Sequence, residues 1–128
     1  ILTDNSEFNI NRLCVDVNDC LEKANQNTNL AEKMLRMLLA ELEEYKQQLM
    51  AFFQQQDTQS AADLCHKLLG ATHYTGVPLL HNSVIMLQKQ IKDNHRIDEV
   101  AMHKFTDSID ELLSWEQEHD IASLFSQD

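Results

Sequence analysis

Glycine and proline are almost missing from this chain. Its 128 residues hold two glycines, Gly70 and Gly76, and one proline, Pro78. With so few backbone breakers, and with Leu, Glu, Gln, Lys, Ala and Met abundant, helix is favoured over most of the length. Long apolar runs are absent too, which excludes a membrane-spanning helix, and the N-terminus lacks a basic segment followed by an apolar block. A soluble protein without a secretory signal is expected. The three cysteines, Cys14, Cys20 and Cys65, are odd in number and lack CxxC spacing. Neither a disulfide framework nor a four-ligand zinc site fits that pattern, so reduced thiols in the cytosol are the simple reading. The six histidines form no HExxH pattern and no i, i+4 pair, and no metal site is expected.

Positive charge is also scarce. Ten Lys and Arg stand against 21 Asp and Glu, for a net charge of -11, which argues against nonspecific nucleic-acid binding. The balance is uneven along the chain. Residues 65–96 hold Lys67, Lys89, Lys92 and Arg96 against Asp93 alone, a net of +3 that leaves -14 on the remainder. A mildly basic patch on an acidic body suits an acidic or phosphorylated partner, and ordinary variation in surface charge accounts for it as well.

What is present reads as one compact domain behind a short linker or arm. Residues 1–15 show no clear period and suit a linker or a packed N-terminal arm, with the domain proper over 16–128. Asp16 can cap a short helix, "VNDCLEKA". From about Leu30 to Gln55 a long helix is read from Leu30, Met34, Met37, Leu38, Glu41, Leu42, Tyr45, Leu49, Phe52 and Phe53, which recur at three- and four-residue steps. "QDTQS" then turns the chain, and Ser60 with Asp63 resembles a capping box for a helix over about Ala61 to Tyr74. Gly76 marks a break, and Pro78 suits the first turn of a helix running to about Asp93 with Leu80, Val84, Leu87 and Ile91 inside. "DNHRID" turns the chain again before a last helix from about Glu99 to Trp115 or beyond, carrying Met102, Phe105, Ile109, Leu112 and Leu113. Short connections between long helices make neighbours antiparallel. The expected fold is all-α, an antiparallel four-helix bundle with a short extra N-terminal helix.

Both glycines fall in "DLCHKLLGATHYTGVP", residues 63–78. At about 100° per residue, with His66 at zero, Ala61, Leu64, Leu68 and Ala71 lie roughly 140–160° away, and Cys65 and Thr72 about 100–120° away. These form the core stripe. His66 points into solvent, with Gln59, Ala62, Asp63, Leu69, Gly70 and His73 within about 60° of it. A glycine inside a helix costs roughly 1 kcal/mol relative to alanine. Gly70 lies on the wrong face for packing within the bundle. The geometry favours the other explanation, that a second protein must come close to the imidazole.

The same residues resemble a known family. "HKLLGATHYTGVP" is similar to the active-site helix of histidine phosphotransfer (HPt) domains, whose pattern is a histidine, an apolar residue at +2, glycine at +4 and a second glycine at +10. His66, Leu68, Gly70 and Gly76 fill all four. With "LAEKMLRMLLAEL" upstream, the likeness narrows to the C-terminal HPt domain of BarA/GacS-type hybrid sensor histidine kinases and covers most of the chain. It implies a four-helix-bundle core, His66 as phosphoacceptor and Gly70 as room for a receiver domain. Gln88, at +22, would orient the ring or hydrogen-bond the phosphoryl group. Ala62, Leu69 and Gly70 would form the docking surface, with Lys67, Lys89 and Lys92 adding charge at its edge. Leu69 departs from the family, where a basic residue is common, and suggests apolar contact instead. His73 lies on the His66 face without an assigned duty. The partners implied are the receiver domains of a parent hybrid kinase and of a response regulator, with no nucleic acid and no direct membrane contact. An accessible site also argues for a monomer. The domain would be cytoplasmic, in a parent that can be anchored in the inner membrane.

The implied chemistry passes a phosphoryl group from one receiver aspartate to another through His66. An ordinary imidazole, with a pKa of about 6.5, offers a free ring nitrogen near neutral pH. Phosphoryl transfer depends mostly on positioning and charge neutralisation, so this domain would need no cofactor of its own, Mg²⁺ coming from the receiver. No Gly-rich loop or GK[ST] motif is present, and no kinase activity from ATP is expected. A non-catalytic helical adaptor that binds a receiver-like partner is the alternative, to which Leu69 lends slight support. A metal site built on His66 and His73 is poor, because i, i+7 sets them two turns apart.

Overall fold

A computed structural model describes residues 13–126. The first twelve residues of the expected N-terminal arm, and the last two of the chain, lie outside the described residues. The elements are α1 (Val17–Lys23), α2 (Thr28–Gln55), α3 (Thr58–His73), α4 (Pro78–Asn94), α5 (Glu99–Glu118) and α6 (Ile121–Leu124). Each long helix packs on its neighbour in the chain, and α2 closes the ring against α5. Connections of two to four residues leave no room for crossovers, so the four run antiparallel. The terminal helix α6 was not expected. It buries Ile121, and Phe125 behind it, beyond the end of α5.

Aspartate and asparagine start most of these helices. Asp16, Asn27, Asp57 and Asp98 each accept a hydrogen bond from the backbone N–H three residues on. Such caps satisfy one orphan donor and contribute about 1 kcal/mol each. The expected capping box at Ser60 and Asp63 is replaced by Asp57, which accepts from Ser60 N–H, so α3 begins at Thr58. Asp63 instead accepts from the Gln59 amide. With glycine so scarce, residues that tolerate the left-handed region less well end the helices. Gln56 closes α2 at φ 52° and His95 closes α4 at φ 56°. Gln56 gains compensation. Its amide donates to Ile97 O and accepts from Ile97 N–H, tying the end of α2 to the α4–α5 turn.

The core follows the expected stripes on α4 and most of α5: Leu80, Val84, Leu87 and Ile91 face Met102, Phe105, Ile109 and Leu112, all buried. Leu113 is only partly buried. The stripe on α2 is corrected. Leu30 and Met37 are 43% and 58% exposed, whereas Ala31, Leu35 and Leu39 are buried. Met34, Phe52 and Phe53 are half-buried, and Glu41 is exposed with its carboxylate beside the Tyr45 hydroxyl.

The two glycines meet opposite surroundings. A Cβ on Gly70 would touch nothing within 4 Å. A Cβ on Gly76 would lie 2.5 Å from Asp16 O, 2.8 Å from Cys20 N and 3.0 Å from Cys20 Sγ. There α1 is latched to the α3–α4 turn. Asp16 N–H donates to Gly76 O at 2.9 Å, and Gly76 N–H donates to Cys20 Sγ at 3.3 Å. Leu79 N–H donates to Leu13 O at 3.0 Å nearby. Alanine substitutions should therefore act in opposite directions in urea denaturation. Gly70→Ala is expected to stabilise by about 0.5–1 kcal/mol through helix propensity. Gly76→Ala is expected to destabilise by about 1–3 kcal/mol, because backbone atoms cannot yield as a side chain would.

Candidate functional site

Five buried side chains, Ala61, Leu64, Cys65, Leu68 and Thr72, fix the rotation of α3. Ala71, read as part of that stripe, is half-buried. His66 is exposed on the opposite side, and Gly70 one turn later is exposed with open space where a side chain would be. Cys65, its neighbour in sequence, points inward, and burial pushes its thiol up to about 12. It is therefore no rival nucleophile, since reactivity belongs to the thiolate.

The seam between α3 and α4 carries two open hollows. One is lined by His66, Leu69, Gly70, His73, His81 and Ile85, with Tyr74 at its end. The other includes Ala62, Gln88, Lys89 and Lys92, and Ile85 lines it too. The structure thus gathers all but one of the residues singled out from the sequence on a single seam. His66 lines the first hollow and Gln88 the second, and Ile85 is shared by both. Lys67 is the one set apart. Its Nζ lies 5.8 Å from the centroid of the Tyr45 ring, at the contact of α3 with α2, and it lines neither hollow. Lys89 pairs with Asp93 at 3.6 Å, but both side chains are largely exposed and the pair contributes little.

Tyr74, His81 and Ile85 were missed. Tyr74 is 58% exposed and Ile85 41% exposed. The periodicity of α4 could have found two of them: His81, Ile85, Gln88 and Lys92 stand at i, i+4, i+7 and i+11, one stripe of a helix. Tyr74 follows the last helical residue of α3, where a wheel gives no direction. His81 is held by Thr72, whose Oγ1 lies 2.7 Å from His81 Nδ1 and also donates to Leu68 O at 2.9 Å.

Among the described residues, no group of three or more His, Cys, Asp or Glu is gathered as a metal site would require. No described helix is long and apolar enough to cross a membrane. What the seam offers is an exposed imidazole beside bare backbone, small and apolar neighbours, and amines one hollow away. That arrangement suits a nucleophile presented to another macromolecule.

The family model of the Hpt domain matches residues 33–115, which contain the whole of this seam. The chain belongs to the Hpt domain family. It is 30% identical over 103 residues to the sensor protein GacS of Pseudomonas syringae pv. syringae, a match covering 80% of this chain and 11% of that one. It is 30% identical over 80 residues to the BarA signal transduction histidine-protein kinase of Escherichia coli K12, covering 62% of this chain and 9% of BarA. Among solved structures, the Hpt domain of a sensor hybrid histidine kinase from Shewanella superposes with a TM-score of 0.77 at 26% identity, covering 90% of this chain and 97% of that one. Hpt domains of hybrid kinases pair with receiver domains in phosphorelays, and the likeness supports a histidine phosphotransfer role for this one. The chain spans only about a tenth of the length of these curated kinases.

His81 gives this Hpt domain a pH-sensitive joint between α3 and α4. Burial first, then Lys23 and His73, push its imidazole below the ordinary value, with Asp19 acting in the opposite sense. The unfolded chain therefore binds the proton more readily than the fold. The stability His81 contributes is fully present above the unfolded value of about 6.5 and is lost as pH falls toward the folded one. Urea denaturation from about pH 7.5 to about pH 5.5 should show the wild type weakening more than His81→Asn, which keeps a polar partner for Thr72 but does not titrate. Parallel pH profiles would place the dependence elsewhere.

Proposed function

We propose that His66 is the phosphoacceptor of a phosphorelay, taking a phosphoryl group from a phosphoaspartate on one receiver domain and passing it to an aspartate on a response regulator. The observation that carries this reading is the open notch beside the exposed ring. Gly70 is not required by any contact within the bundle, so its cost of roughly 1 kcal/mol has no structural return. It gives a partner room to reach His66.

In the accepting step an unprotonated ring nitrogen of His66 attacks phosphorus. An N–P bond forms, the acyl-phosphate P–O bond breaks, and the electron pair leaves with the aspartate carboxylate. Transfer to the second receiver reverses these changes. The transition state is loose, so this domain's contribution is placement. Leu64, Cys65 and Leu68 lock α3 in the core and hold the nucleophile outward. Mg²⁺ would neutralise charge on the moving group and would have to be held by the receiver, since no carboxylate lines the hollow of His66. Leu69, Gly70, Tyr74 and Ile85 supply a largely apolar docking surface. Ala62 extends it toward Gln88, Lys89 and Lys92, where the two lysine amines outnumber the one carboxylate, Asp93, and favour an acidic partner. Gln88 reaches the phosphoryl group from the neighbouring hollow.

A panel of receiver domains charged with labelled acetyl phosphate tests this. Wild-type domain should acquire acid-labile, base-stable phosphate, and His66→Gln should fold normally and acquire none. Label persisting on His66→Gln would dismiss His66 as acceptor. A receiver that binds without ever transferring would instead mark a non-catalytic adaptor. A second variant isolates the notch. Gly70→Leu should keep the thermal midpoint within a few degrees while slowing transfer by about tenfold or more, the effect of a misplaced approach. Transfer at the wild-type rate would remove the access argument.

A further inference from the structure

The hollow that holds His66 is unusual in its charge. No Lys, Arg, Asp or Glu lines it, and Lys89 and Lys92 belong to the hollow beyond Ile85. A phosphoryl group on His66 would bring about 1.5–2 negative charges into that space. The groups lining it that can become cations are His73 and His81, from opposite sides of the seam.

His81 is built to accept a proton without losing a contact. The Thr72 hydroxyl has one hydrogen and three acceptors within reach, His81 Nδ1 at 2.7 Å, Leu68 O at 2.9 Å and Leu69 O at 3.4 Å. With a neutral ring, the hydroxyl can donate to Nδ1. With a charged ring, Nδ1–H donates to the hydroxyl, which turns its own hydrogen to Leu68 O. Both patterns use the same heavy-atom positions. The charged and titratable groups around His81 are His73 on α3, with ring centroids 6.4 Å apart, and Lys23 and Asp19 on α1. His66 and Tyr74 line the same hollow.

Resting on the acceptor role of His66, we propose that His81, with His73 beside it, is the proton-taking wall of the phosphoryl site. When His66 is phosphorylated, His81 takes a proton from solvent and faces the phosphoryl group as a cation. No bond to His81 forms or breaks except that N–H. By linkage, a proton on His81 favours the phosphorylated state by the same factor that the phosphoryl group favours the proton.

Histidine ring titrations by nitrogen-15 NMR, before and after loading the full chain with potassium phosphoramidate, test this directly. Phosphorus NMR in the same samples reports whether His66 carries phosphate. The expected result is phosphohistidine at His66 with the His81 midpoint raised by about 0.3–1 pH unit, the range for a charge interaction partly screened by salt. Phosphohistidine at His66 with an unmoved His81 midpoint would overturn this inference alone. No phosphohistidine at His66 would overturn it together with the acceptor assignment. His81→Asn adds an independent readout. Between about pH 8 and pH 6, the equilibrium between phosphorylated receiver and phosphorylated domain should shift toward the domain less steeply than in wild type. An identical slope would also count as refutation.

Discussion

The rotation of α3 about its own axis is the constraint on which the site depends. Leu64, Cys65 and Leu68 must all reach the core, and Ala61 and Thr72 bound the stripe at either end. A turn of about 100° would expose this set and bury a polar imidazole, at several kcal/mol in lost burial and an unpartnered ring. His66 therefore faces outward because of residues that are themselves buried in the core. The same side chains that hold the bundle together set the side of α3 from which His66 projects.

The glycines show two ways a small residue can be demanded. Gly76 is required by the inside. The N-terminal end of α1 lies against it so closely that a methyl group would meet backbone atoms of Asp16 and Cys20. Gly70 is required by nothing inside. A helical wheel separated Gly70 from the core correctly, since a period of 3.6 needs only the residues of one helix. The same wheel read Gly76 merely as a break. Its packing role depends on where a helix more than fifty residues earlier returns, and no local pattern carries that.

The legibility of the rest follows the same logic. On α4 the buried side chains fall on one narrow stripe, and Leu80, Val84, Leu87 and Ile91 were read without error. Helix α2 was harder. It is 28 residues long and packs against α1, α3 and α5, so its buried face is wide and changes partner along its length. Leucines and methionines then occur on more than one side, and hydrophobicity alone could not rank Leu35 and Leu39 above Leu30 and Met37. The start of α3 was misplaced because serine and aspartate both cap well. Asp57 is the one that caps, directly after Gln56, whose amide ties the end of α2 to Ile97. On the site, the α3 half was legible from period and spacing. The α4 half was read only in part, through Gln88, Lys89 and Lys92, while Ile85 and His81 on the same stripe passed as ordinary helix surface.

If His66 carries a phosphoryl group as proposed, the seam accounts for how an acidic protein serves an acidic cargo. A net charge of -11 would repel a phosphoryl group if spread evenly. It is not spread evenly. One hollow beside His66 is lined by imidazoles without a carboxylate, and the next carries two lysines against one aspartate, Asp93. Exposed amines at the edge would be screened by salt and would steer a partner's approach more than bind it. Under the proposal His81, whose imidazole burial holds below the ordinary value, gains its charge when a phosphoryl group arrives. A fixed cation at the same place would bind the phosphorylated state more tightly, but it would also hold the group back from the second receiver. A relay intermediate must give up what it takes. On the proposed relay role, an inducible charge beside His66 would keep the two directions of transfer closer in free energy than a fixed one, which is the condition for a carrier rather than a trap.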